Sequence, residues 1–110
     1  FTMWQIKDMY RGNPITGYVV LEFTFIFQVP ASFSTLKKKR CLENVSILPT
    51  RCDCTNLQKF YEDCLKGIVI GDDRYVAKIS SEKLYGEKEK ILINVFTLEE
   101  YRKKNENHHR

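Results

Sequence analysis

Ten residues, Val19 to Gln28, constrain the fold of this chain more than any others. Val19, Leu21, Phe23, Phe25 and Phe27 alternate with Val20, Glu22, Thr24, Ile26 and Gln28. That is the period of two expected of a β-strand, whose successive side chains point to opposite faces. One face is wholly apolar and carries three phenylalanines, while the other is half polar. The pattern predicts a central strand with one face in the core, closed by Pro30, which cannot donate to a ladder.

The chain has 110 residues, enough for one domain with a modest core. A domain of this size gains from association, and the apolar residues on both faces of the strand leave surface to cover, so a homodimer is expected. No apolar run is long enough to span a bilayer and no secretory leader pattern opens the chain, so a soluble, cytoplasmic protein is expected. In that setting the four cysteines, at 41, 52, 54 and 64, read as reduced thiols. Cys52 and Cys54 lack the Cys-x-x-Cys spacing usual for zinc. The polar tail from 103 to 110, with His108 and His109, reads as flexible.

Around the strand the pattern switches to helical spacing. Ser32 or Ser34 can cap a short helix through the basic run Lys37, Lys38, Lys39, Arg40 to about Glu43. Leu57, Phe60, Tyr61, Cys64 and Leu65 recur at i, i+3, i+4, i+7 and i+8, one apolar stripe on a helix from Asn56 to Lys66. Thr55 and Gln58 have capping-box spacing, and Gly67 stands where a left-handed cap belongs. Arg74 to Leu84 and Lys90 to Phe96 read as strands joined through Gly86 to Glu89, an antiparallel hairpin. Thr97 and Glu100 would cap a final helix ending near Lys104. Before the central strand, Thr2 to Tyr10 has the pattern of a helix end, broken by Arg11-Gly12-Asn13-Pro14. Together these elements predict an α+β domain, a small mixed or antiparallel sheet with helices packed on one face.

Charge and carboxylates suggest where chemistry lies. The net charge is +4, from 18 lysines and arginines against 14 acids. The run 37–40 and the C-terminal Arg102, Lys103, Lys104 and Arg110 suit a phosphate backbone, although a solvated helix face explains them equally well. Asp53 precedes the predicted helix 56–66 and Asp72 and Asp73 follow it. Hard divalent cations take one or two carboxylates with water and substrate phosphate, so these residues near Lys59 form a candidate metal site. Helix flanking and ordinary turn composition explain the same three aspartates.

Several segments resemble, in order, those of the RusA-type Holliday junction resolvases. Thr50-Arg51-Cys52-Asp53-Cys54-Thr55-Asn56-Leu57-Gln58-Lys59 is similar to the family's Lys-Pro-Asp-x-Asp-Asn-Leu-x-Lys. Asp63-Cys64-Leu65-Lys66-Gly67-Ile68 is similar to its Asp-Ala-Leu-Asn-Gly-Ile. Asp72-Asp73 and Lys83-Leu84-Tyr85 resemble its Asp-Asp pair and Lys-x-Tyr. The segment 30–34 leading into 37–40 is similar to the one these resolvases place before a basic helix. The likeness runs from Gly17 to Phe96 with compatible spacing.

The resemblance implies a RusA-like fold and metal-dependent phosphodiester hydrolysis at four-way DNA junctions, in recombination and repair, by a homodimer. It assigns Asp53, Asp72 and Asp73 as ligands of Mg2+ or Mn2+, Lys59 as the cation near the scissile phosphate, and Lys37, Lys38, Lys39, Arg40 and Lys83 as DNA contacts. Two departures stand out. Thr55 replaces a motif aspartate and removes one carboxylate, which impairs catalysis on this reading and makes a degenerate junction-binding or protein-interaction module the alternative. The family's N-terminal strand has no counterpart before Phe1.

Overall fold

The computed structural model describes residues 12–108, with side chains for 12–106. The expected helix end at Thr2 to Tyr10 lies outside the described residues. Strand β1 (Val19–Gln28) takes the central position of a three-stranded sheet, order β2-β1-β3, with β2 (Val76–Gly86) and β3 (Lys90–Thr97) on its flanks. Strand β2 pairs with β1 in parallel, from Val19 opposite Val76 to Gln28 opposite Gly86. Strand β3 pairs with β1 antiparallel, from Val19 opposite Thr97 to Ile26 opposite Lys90.

The hairpin expected of residues 74–96 is therefore not formed. The two strands follow each other in sequence, but β1 lies between them. The physical reason is apolar density: only β1 presents an unbroken row of large side chains, and the central position buries it from both flanks. Val19, Leu21, Phe23 and Phe25 are at most 2% exposed, whereas no residue of β2 or β3 is fully buried. Burying each such side chain stabilises the fold by about 1.5–3 kcal/mol.

The parallel pair requires a crossover, and residues 29–75 provide it. Helix α1 (Thr35–Glu43) starts at Ser34, whose hydroxyl accepts from Lys37 N–H at 3.2 Å, and ends at Asn44 in the left-handed conformation, φ 56°. Helix α2 (Cys54–Leu65) then lies across the apolar face of β1, with Tyr61 5.7 Å from the Phe25 ring. Its stripe is as expected, with Cys64 and Leu65 buried, but its start is not: it begins two residues early. Asp53 holds the N-cap position without a side-chain cap bond, and Thr55 lies inside the first turn rather than capping it. At the other end Gly67 adopts φ 77°, and the Leu65 carbonyl accepts from Ile68, Val69 and Ile70.

The α+β class with a small mixed sheet is as expected. Helix α2 takes one face, and α3 (Leu98–His108) reaches the other, where Tyr101 meets Phe96 and bonds Lys78, both opposite the fully buried Val20. Thr97 caps α3 as the spacing predicts, its hydroxyl accepting from Glu100 N–H at 3.2 Å. The helix continues past Lys104 to His108, so the described part of the predicted tail is helical. All four cysteines are free.

Candidate functional site

The topology decides which predicted residues can meet. Helix α2 runs antiparallel to β2, so its two ends lie at opposite ends of the sheet. Asp53 stands at the head of α2, beside the C-terminal part of β2; Asp72 and Asp73 stand past its tail, where β2 begins. A helix of 12 residues is roughly 18 Å long at 1.5 Å per residue. Asp53 is therefore too far from Asp72 and Asp73 to share a cation with them. The expected convergence of all three on one ion is not met within the protomer. The cause is the parallel pairing of β1 with β2, which requires the chain to travel the sheet's length between the two motifs.

At the head, a loop from 44 to 53 is fastened to β2 at both ends. The Asn44 side chain accepts from Tyr85 N–H at 2.7 Å and donates to the Tyr85 carbonyl at 3.1 Å, taking the place of a neighbouring strand. Lys83 donates from Nζ to the Cys52 carbonyl at 2.8 Å. The ammonium expected to contact DNA is thus committed to the residue before Asp53. Beside this loop is a groove of about 350 Å³, lined by Phe27, Gln28, Pro30, Pro49, Arg51 and Tyr85 among others. The Arg51 guanidinium lies 5.2 Å over the Phe27 ring and 3.5 Å from Glu89. Lys59 is exposed on α2.

At the tail, carboxylates gather. Asp72 caps the 3-10 turn Asp73–Tyr75, its Oδ1 accepting from Arg74 N–H at 3.1 Å. Asp73 lies 3.0 Å from Lys66 Nζ, which also reaches Asp63 at 3.2 Å. Asp73 is held below the usual carboxylate range, first by the Lys66 bond and then by a side-chain hydrogen bond with Asp72. Lys66 is correspondingly raised by its bonds to Asp73 and Asp63. Partial burial pushes the Glu62 carboxyl up, and the nearby Asp73 charge adds to it. Magnesium or manganese commonly takes one or two carboxylates alongside water and a substrate phosphate, and Asp72 and Asp73 are two neighbouring carboxylates. Among the described residues no three His, Cys, Asp or Glu side chains form a ready ligand set.

The basic run is presented as α1. Lys37, Lys39 and Arg40 are exposed, Lys38 is half-buried, and Lys37 packs 3.8 Å over the Phe33 ring. Sequence reading missed three residues of this region. Asn44 carried a signal, since asparagine tolerates the left-handed conformation at a helix end. Lys66 carried another, standing where the similar family motif has asparagine. Arg51 stands where the similar motif has lysine, but its partners Phe27 and Glu89 are distant in sequence and gave no sign of the contact.

Against known proteins, the sequence model of a family described as Endodeoxyribonuclease RusA matches residues 1–96. No curated protein and no solved structure shows significant similarity to the chain.

Proposed function

The chain belongs to the RusA endodeoxyribonuclease family, and from that premise we propose that it binds four-way DNA junctions and cleaves them with a divalent metal ion. The family match over most of the chain carries the reading. Helix α1 offers exposed Lys37, Lys39 and Arg40 for phosphates, the contacts that dominate affinity for DNA and make it salt-dependent. The groove at Arg51 lies beside Asp53 in the motif loop, where a strand leaving a branch point can enter.

In this proposal the metal ligands are Asp72 and Asp73, and Asp53 acts from the head of α2 with Lys59 as the cation near the scissile phosphate. Magnesium or manganese held at the pair would polarise a phosphodiester oxygen and generate the attacking water. The chain's own residues bind and orient: α1 fixes the backbone, and Lys83 and Asn44 hold the motif loop in place. Two protomers are proposed to act together, because Ile26, Leu84 and Leu92 lie on the face opposite α2 and Leu92 is 45% exposed. A homodimer's two-fold symmetry suits a four-way junction. No helix among the described residues is long and apolar enough to cross a membrane.

The test pairs binding with cleavage. Junction and linear duplex affinities are measured without metal across a salt series, and cleavage is measured with Mn2+ for the present chain and for Thr55→Asp. The expected result is junction binding that weakens steeply with salt, with a slope that flattens when Lys37 to Arg40 are neutralised, and Mn2+-dependent cleavage. A gain in Thr55→Asp, a helix length away from Asp72 and Asp73, would place the ion at the head of α2 instead. Equally poor affinity for both DNAs at low salt overturns the proposal. Tight junction binding with no cleavage by either variant favours a degenerate binding module, a reading that the missing motif carboxylate at Thr55 supports.

A further inference from the structure

The groove at the head of α2 is built by two runs of chain that part from the end of the sheet. Strand β1 ends at Gln28, Val29 N–H still donates to the Gly86 carbonyl at 3.2 Å, and Pro30 then leads the chain away toward α1. The motif loop is drawn back to β2 by Asn44 and Lys83. Between these runs lies a space of about 350 Å³, walled by Pro30 and Pro49 and reaching Tyr85. Proline fixes its own φ, so these walls keep their shape. The space suits a single small ring system and is far too small for a duplex.

The chemistry of the groove selects among small ligands. Phe27 is buried at its floor, and the Arg51 guanidinium lies 5.2 Å from that ring's centre, a planar cation backed by an aromatic face. The Glu89 carboxylate stands 3.5 Å from the same guanidinium and meets its charge. A phosphate entering here would face that carboxylate, and like charges repel. What remains for a ligand is flat guanidinium and aromatic surface, on which nucleobases stack whatever their sequence. Pro30 and Ala31, on the groove's wall, lead directly into α1 with its exposed Lys37, Lys39 and Arg40. Phosphate contacts and groove thus belong to one continuous segment.

We propose that this groove seats one unpaired nucleobase of the DNA, stacked against the guanidinium of Arg51 that Phe27 backs. The proposal rests on the DNA-binding reading and adds to it a contact that does not depend on phosphate charge. The Arg51 and Glu89 side chains are 71% and 63% exposed, so solvent screens their ion pair and the ring beneath sets the guanidinium's place. Lysine cannot substitute for arginine here, because an ammonium has charge but no plane.

The experiment compares the affinity of the whole chain for a short single-stranded oligothymidine and for an abasic oligomer of the same length, without metal, across a salt series. Parent and Arg51→Lys are measured, with thermal melting to confirm folding. The parent is expected to bind oligothymidine several-fold more tightly than the abasic oligomer. Arg51→Lys is expected to bind the two alike, with the parent's salt slope, since the charge is kept. An oligomer carrying 2-aminopurine should be quenched on binding the parent and much less on binding Arg51→Lys. Equal affinity of the parent for the two oligomers means phosphate contact alone and overturns the proposal. A base preference that survives in Arg51→Lys places the base elsewhere and overturns it too. Junction binding by the parent without any base preference removes this inference alone, whereas failure to bind any DNA removes the DNA reading with it.

Discussion

The two ends of helix α2 are built on opposite principles. The head is anchored by hydrogen bonds to the sheet: Asn44 to both backbone groups of Tyr85, and Lys83 to the Cys52 carbonyl. Those bonds are partly buried and neutral or singly charged, so they are little affected by salt. The tail is tied by ion pairs among exposed groups, Lys66 with Asp63 and Asp73, which salt and competing ions loosen. The side chains that fasten the head thus bond to backbone groups of the sheet and the motif loop. Those at the tail pair with one another in solvent, over a chain whose backbone is bonded from Leu65 to Ile70 and whose Leu65, Val69 and Ile70 are buried.

The comparison can be broken from the middle outward. Phe25→Ala removes the β1 ring on which Tyr61 of α2 packs, and is expected to cost about 3–5 kcal/mol in denaturant unfolding. That loss should fall on both ends together. If hydrogen exchange loosens only one end, the two are not joined through this core.

Asn44→Ala acts on the head alone. It leaves the Tyr85 N–H and carbonyl without their partner and puts alanine in a left-handed position. A cost of about 1–3 kcal/mol is expected from the unmade hydrogen bonds, with faster amide exchange through 44–53 and no change at 66–73. Asn44→Gly keeps the backbone relaxed and separates the two contributions. Should the tail loosen equally, the distinction between the ends fails.

Lys83→Met tests whether this ammonium serves the loop or the DNA. A smaller loss of about 1 kcal/mol is expected from one hydrogen bond, with junction cleavage reduced and the salt slope of junction binding unchanged. A slope lower by roughly one would mean a phosphate contact instead.

Thr55→Asp should have the smallest structural effect. Residue 55 lies in the first turn of α2 rather than at its cap, so a carboxylate there meets the helix dipole and should stabilise by about 0.3–1 kcal/mol. A clear fall in melting temperature would show that the head is more crowded than its exposed Thr55 indicates.

The tail has a pH signature of its own. Asp73 is depressed by Lys66, so the pair's contribution is present above the unfolded carboxylate value, about 4, and is lost as pH falls through the lower folded value. Lys66 is raised, so its contribution is present below its unfolded value and is lost only as pH rises through the folded one. The stabilities of the parent and Lys66→Gln should therefore run parallel through neutral pH and converge at the two extremes, in acid as Asp73 protonates and in alkali as Lys66 loses its proton. Divergence near pH 7 would assign the difference to another group.

Much of this was legible before any coordinates. The alternation of Val19 to Phe27 determined a buried strand, because a period of two with three phenylalanines has no other way to leave water. The stripe from Leu57 to Leu65 determined the helix, and Gly67 its end. The ordered motifs from Thr50 to Tyr85 pointed to the family. The tertiary structure alone decided who neighbours whom. Strand β1 displaced the apparent hairpin of β2 and β3, since central burial of its phenylalanines outweighs the short connection through Glu87–Glu89. The parallel pairing that resulted sent α2 back along the sheet, parted Asp53 from Asp72 and Asp73, brought Lys83 to Cys52, and gave Asp73 the ammonium of Lys66. Periodicity is a local property and survives in the sequence. Which charges meet depends on strand order, which is fixed only when the whole core is packed.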